Sequence, residues 1–268
     1  TIQHQKMTTP DKKQIEKAKE YLRKRLSAEN SMKDNLEKAM TRAAEKIVDI
    51  SCKYNIPPSQ FRFSADIRLQ KEVDEVIRWL KERVEDLAFT LAVAGHTDER
   101  EEIIDYINRE NHGKTFRQRN SIYTGRYKYE LEAAVAAGIF LGKGAKEIIR
   151  NITASFSRPY SNPHIVEAMQ QKGNVATRLR TGGISYGVGH SNSMYTSLKN
   201  ISVFAVAEGW SRYSLIDARR NGAKGFYTFR GSSYPCNTCN AYASHMHPLS
   251  DPLPPLHLNC VCGAVFIF

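Results

Sequence analysis

The strongest constraint on this chain is the stretch "PCNTCNAYASHMHPLSDPLPPLHLNCVC", Pro235 to Cys262, which carries four of the five cysteines as one C-x-x-C and one C-x-C pair. Cys236 and Cys239 are close enough in sequence for both thiolates to bind one ion, and the loop from Cys239 to Cys260 is long enough to bring the second pair round to it. His257-x-x-Cys260-x-Cys262 offers three donors where a tetrahedral site needs two, so the ligand set is four cysteines, or His257 with three cysteines. His245 and His247 lie in a turn-like "HMHP" and are further candidates. Pro248, Pro252, Pro254 and Pro255 stiffen the intervening loop. A structural zinc would supply folding energy that a small sheet lacks. The alternative for the same residues is a set of reduced, packed thiols, or cysteines paired across two strands.

A chain of 268 residues is long enough for one or two domains, and its mixture of charged and hydrophobic residues is that of a folded protein. The net charge of +11 favours a polyanionic partner such as nucleic acid. The longest apolar run, "LEAAVAAGIFLG", has about a dozen residues against the roughly 20 that a membrane-spanning helix needs, so no membrane is expected. The opening "TIQHQKMTTPDKK" lacks the apolar centre of a secretory signal, which predicts a reducing compartment and no disulfide framework.

Hydrophobic spacing predicts an α+β protein: a mainly helical N-terminal domain followed by a small α+β, zinc-stapled C-terminal module. Residues 1–155 read as a helical bundle. Ile15, Ala18, Leu22 and Leu26 form one stripe; a Ser31-x-x-Asp34 capping pattern opens a second with Leu36, Met40, Ala43, Ile47 and Ile50, which Pro57 and Pro58 end. Val73, Val76, Ile77, Leu80, Val84 and Leu87 make a third, with Gly95 as its C-cap; shorter helices follow at 98–108 and 129–152. Residues 156–199, rich in Gly, Ser and Asn, read as a linker or loop region around a short helix near 164–172. In residues 200–268, Val203, Val206, Trp210, Tyr213, Leu215 and Ile216 mark a helix ending at Asn221-Gly222, and "KGFYTF" and "GAVFIF" read as strands flanking the cysteine-rich loop. Cys52 reads as a core thiol on the Ile47–Ile50 helix.

The run from about Asn200 to Phe268 resembles the C-terminal module of the phage Mu protein F-like minor head, or head-morphogenesis, family. The resemblance rests on Glu208 in "AVAEGWSRY", Gly222 in "ARRNGAKGFYTF", the Cys236/Cys239 pair, the proline-rich "HPLSDPLPPLH", and His257, Cys260 and Cys262. The chain departs from the family pattern at Leu258, Val261 and Ser233–Tyr234. The resemblance implies a virion or assembly protein, present in few copies in the phage head and in the bacterial host cytoplasm during assembly. Such a protein associates with portal or capsid proteins and takes part in head assembly or genome delivery. Packaged double-stranded DNA is a further partner, for which Arg117 and Arg119, Arg178 and Arg180, and Arg219 and Arg220 are the candidate phosphate-facing clusters.

Two other function classes fit parts of the chain. An enzyme reading takes Arg178 or Arg180, a serine of "TGGISYGVGHSNS" and Glu208 as a nucleotide-handling cleft resembling an ADP-ribosyltransferase, or uses His257 and zinc in a nuclease. A catalytic zinc keeps a coordination position open, whereas the tail offers four or five strong ligands, which favours a closed structural site. The third class is a zinc-stapled module that binds DNA without sequence preference. "HGKT" at 112–115 is not a phosphate-binding loop, because Asn108 stands where that motif requires glycine.

Overall fold

The computed structural model describes residues 10–93, 96, 98–182 and 193–268. Among them are nine α-helices and one two-stranded sheet. In chain order these are α1 (Lys12–Ser51), α2 (Ile67–Val93), α3 (Arg100–Ile107), α4 (Phe116–Phe140), α5 (Ala145–Ala154), α6 (Pro163–Met169), α7 (Asn174–Thr181), α8 (Met194–Arg220), β1 (Gly225–Phe229), α9 (Asn237–Tyr242) and β2 (Gly263–Ile267). The protein is mostly helical with a small sheet. None of the described helices is long and apolar enough to cross a membrane. The candidate C-cap Gly95 and the loop glycines Gly183, Gly187 and Gly189 lie outside the described residues.

The chain forms two compact units. The first comprises Thr1–Met32, Ala88–Thr115 and Ser202–Phe268; the second comprises Lys33–Leu87 and Phe116–Ile201.

In the second unit the spacing of apolar residues on α1 and α2 translates directly into burial. Leu36, Met40, Ala43 and Ile47 on α1 and Val73, Val76, Ile77, Leu80 and Val84 on α2 are all buried, one stripe per helix at the 3.6-residue period. The apolar run of α4 is buried nearly all round from Leu131 to Gly138, because α5, α6 and α7 pack against it. An added Cβ at Gly138 would sit 2.5 Å from the Ile148 side chain, so a side chain there would push α5 away. Buried Tyr127 donates its hydroxyl to Met40 O at 3.3 Å, and the Glu130 carboxylate, also buried, accepts from Met194 N at 2.9 Å at the start of α8. A carboxylate there satisfies an amide that the helix leaves without an internal acceptor.

Several helix boundaries differ from the sequence-based expectation: α4 begins at Phe116 and not near 129, and the described part of 156–199, expected to hold one short helix, carries α6, α7 and the start of α8. α1 continues through Ser31-x-x-Asp34 as one 40-residue helix, since no glycine or proline interrupts "SAENSMKD". The segment expected as one helix over 129–152 is two, because Gly142 takes φ +70° and closes α4: Gly142 N bonds Ile139 O and Lys143 N bonds Gly138 O. The predicted stop at Asn221-Gly222 has the same construction, with φ +75° at Gly222 and an Ala223 N to Ala218 O bond of 3.0 Å. Cys52 also requires correction. It is exposed, because α1 ends at Ser51 and the residue falls in the following turn, where the helical face no longer governs its direction.

In the first unit, β1 and β2 pair antiparallel from Gly225↔Ile267 to Phe229↔Gly263, which joins the two predicted strands across the cysteine-rich loop. Buried Trp210 on α8 donates its indole N–H to Leu91 O at 2.9 Å, and Tyr21 on α1 donates its hydroxyl to Trp210 O at 2.6 Å. Next to this, Gly209 lets α8 lie against α2: an added Cβ would be 2.6 Å from Ala92 Cβ and 2.9 Å from Ala92 O. Backbone cannot yield there as a flexible side chain would. Gly209→Ala is therefore expected to destabilise the protein by about 1–3 kcal/mol. Gly125→Ala, in a helix with nothing within 4 Å of the new methyl, is expected to stabilise it by about 0.5–1 kcal/mol. Urea unfolding of both variants against the parent tests the contrast.

Candidate metal centre

The metal-like residues come together through local geometry on both sides of the loop. Cys236 occupies the N-cap of α9 and Cys239 lies in its first turn, so one helical turn points both thiols the same way; Asn240 N bonds Cys236 O and Ala243 N bonds Cys239 O. On the returning strand, Asn259 adopts φ +61° and Cys260 N bonds His257 O at 3.2 Å. This turn folds His257 back over Cys260, and Cys262 follows immediately before β2. Gly231 makes the approach of the two segments possible, since an added Cβ would sit 1.7 Å from Val261 O. Cys239, Cys260 and Cys262 are buried together, with Cys236 and Leu256 packed against them.

The donor atoms form two triads that share Cys239. Cys236, Cys239 and His257 make one, and Cys239, Cys260 and Cys262 the other, with the ligand atoms of each triad within 4.8 Å of one another. The His257 Nε2 lies 3.2 Å from Cys236 Sγ and 3.1 Å from Cys239 Sγ, and Cys239 Sγ lies 3.8 Å from Cys260 Sγ. Metal–sulfur and metal–nitrogen bonds of about 2.3 and 2.0 Å at tetrahedral angles require edges of about 3.8 Å between sulfurs and about 3.5 Å between nitrogen and sulfur. The spacings match that scale. His257 Nδ1 donates to Leu258 O at 2.8 Å, which leaves the Nε2 lone pair directed at the sulfurs, the arrangement of a ligating imidazole. The same bond to Leu258 is the first cause of a raised His257 pKa. A bond from the Cys262 thiol lowers the Cys260 pKa to about 4 and raises that of Cys262 well above its usual range. The cluster can hold a metal ion, and one tetrahedral ion takes four of its five donors. His245 bonds Ser244 Oγ. His247 is buried, stacked 3.9 Å from Tyr242, with Nδ1 at Asp251 and Nε2 at Tyr242 O, so both histidines serve the loop and not the cluster.

Sequence reasoning missed the group that fixes this cluster in place. Arg25 on α1, only 3% exposed, donates from Nη1 to Cys262 O at 3.0 Å and from Nη2 to Cys260 O at 3.2 Å. Its Nε lies 3.0 Å from Glu29 Oε1, and Glu29 is also buried. An Arg and a Glu four residues apart on a helix ordinarily read as a solvated surface pair. The one available sign was that Arg25 and Glu29 share the face of buried Leu22 and Ala28.

The other candidates are engaged within their own units. Glu208, in the first unit, accepts from Arg109 Nη2 at 2.6 Å, and Arg109 lies over the Tyr106 ring. Burial raises the Glu208 pKa while Arg109 opposes it. Arg178 and Arg180 belong to the second unit. Arg178 donates to Phe61 O at 2.6 Å, and Arg180 donates to the carbonyls of Met169 and Gln171 at the end of α6. Of the loop serines named with them, Ser185 and Ser191 lie outside the described residues, whereas Ser193 is buried and its Oγ accepts from Thr196 N at 3.0 Å. Arg117 pairs with Glu85 at 2.6 Å; Arg119 also lies on α4 and is engaged. Arg219 donates to Leu249 O at 2.9 Å, and Arg220 pairs with Glu99.

Comparison of the chain with family models, with curated proteins and with solved structures gives no match.

Arg25→Met takes the countercharge away from buried Glu29 and two donors away from the C-x-C carbonyls. It is expected to cost about 3–5 kcal/mol, with most of that recovered in the Arg25→Met/Glu29→Leu pair. Urea denaturation of the single and double variants measures the difference.

Proposed function

We propose that the protein is a minor head, or head-morphogenesis, protein of the phage Mu F-like kind, whose C-terminal segment is stapled by one structural zinc. The observation that carries the reading is the convergence of Cys236, Cys239, His257, Cys260 and Cys262 on one site, in the order and spacing of that family's module. Zinc is the ion that fits. The donors are four thiols and an imidazole, the scale is tetrahedral, and no carboxylate belongs to either triad. With five strong donors for four positions, no site is kept open for water, which supports a structural ion over a hydrolytic one. The residues hold it as a staple: Cys236 and Cys239 from α9, His257, Cys260 and Cys262 from the returning turn, and Arg25 anchoring that turn to α1. In this role the protein docks on portal or capsid proteins and contacts packaged double-stranded DNA through its excess of cations.

Protein purified without a histidine tag is expected to carry about one zinc per chain by elemental mass spectrometry, and Cys260→Ser to lose it together with the unfolding transition of its unit. Because thiols and imidazole must shed protons to bind, zinc is released as pH falls, and a metallochromic dye follows the release. Metal-free, fully folded parent protein overturns the staple. For the head role, deleting the gene from the phage genome that encodes it is expected to abolish infectious heads; normal particle yield and infectivity overturn that part.

A further inference from the structure

The second unit contains a concavity that the metal centre and the head-protein reading leave unused. It lies along one face of α4, where Arg126, Tyr129, Glu132 and Ala136 recur at helical spacing, and it is closed on the other side by Arg178 of α7. Its volume is about 480 Å³. An adjoining hollow of about 350 Å³ shares Tyr129, Glu132 and Arg178 and extends to Arg62 and Lys128. That size is within the range of small-ligand sites.

Its chemistry is uneven. Tyr129 is 60% exposed, an aromatic ring left open to solvent in the middle of the cleft. Around it are four cations and one carboxylate. Lys128 is neutralised by Asp74 at 2.6 Å, and Glu132 uses Oε2 to accept from Phe63 N. Arg62 and Arg126 form no ion pair among the described residues. Arg178 is held by its bond to Phe61 O, and its pKa is lowered first by burial and then by the like charge of Arg62. Two guanidinium groups thus line the same hollow, which also carries one partly used carboxylate. Neighbouring like charges destabilise the unliganded protein, and an anion placed between them removes the repulsion.

From this juxtaposition we propose that the α4 cleft binds a nucleotide unit, with an unpaired base stacked on Tyr129 and the phosphate held among Arg62, Arg126 and Arg178. An exposed ring flanked by guanidinium groups is the combination that recognises an unstacked base with its phosphate. A duplex offers no free base face to a ring set in a hollow. The inference does not rest on the head-protein reading or on the zinc. The nucleotide unit has two sources, a single strand or a free nucleotide.

The test is fluorescence anisotropy with a labelled oligothymidylate, a duplex of equal length, and thymidine monophosphate as competitor, on the full chain and three variants. Tyr129→Ala and Arg62→Ala change exposed side chains, and circular dichroism confirms that they fold. Lys38→Ala removes an exposed cation outside the cleft. The proposal expects strand affinity to fall about ten-fold or more in Tyr129→Ala. It expects Arg62→Ala to reduce the slope of log affinity against log salt by about 0.7, with Lys38→Ala unchanged. If thymidine monophosphate competes and the same two variants lose that competition, the source is the free nucleotide; if only the strand binds, the source is the strand. Equal affinity for duplex, an equal loss in Lys38→Ala, or no binding of strand or nucleotide overturns the proposal.

Discussion

The guanidinium of Arg25 is the interaction on which the cysteine-bearing unit depends. It is a charge out of water, tolerable because two of its nitrogens donate to the carbonyls of Cys260 and Cys262 and the third lies 3.0 Å from the countercharge of Glu29. Those carbonyls belong to residues whose thiols face the metal-like cluster. A bond to the backbone on one side of Cys260 and Cys262 therefore limits where their sulfurs go on the other. The return of the chain into β2 begins at the next residue, so the same contact also sets the start of the sheet, at the Phe229↔Gly263 end of the ladder. Packing, strand register and donor geometry meet at one buried side chain.

Much of this was legible in the sequence, and the physical reason differs from element to element. The α2 stripe could be read because Val73, Val76, Ile77, Leu80 and Val84 obey the helix period and nothing competes with it. The site could be read because thiols and imidazole at those spacings have few other uses. Arg25 and Glu29 could not, because the same two residues at the same spacing on an exposed face would give an unremarkable ion pair; only the partner strand, 237 residues away from Arg25 in the case of Cys262, makes them a buried clamp. Gly231 was invisible for a similar reason, since its role is to leave room for Val261 O. Cys52 was misread because a helical face was extended one residue beyond the last helical turn.

Several arginines of this chain serve its own fold. Arg25, Arg180 and Arg219 direct their guanidinium groups at backbone carbonyls, while Arg109, Arg117, Arg212 and Arg220 are paired with carboxylates. Arginine suits this work because its planar fork satisfies several acceptors at once. Such pairing leaves the excess of +11 unchanged, because each pair uses one carboxylate, and the cations are informative where they cluster, as Arg62 and Arg178 do beside Tyr129.

The separation of Arg25 from its acceptors also sets an order of events in the cell. Cys260 and Cys262 are made 235 and 237 residues after Arg25. At bacterial or eukaryotic translation rates of about 5–20 residues per second, the interval is on the order of ten to fifty seconds. Through that time α1 can form, since its helix is local, but the face bearing Arg25 and Glu29 has nothing to close on and stays hydrated. The cysteine-bearing unit therefore folds only after the ribosome has released the C-x-C turn.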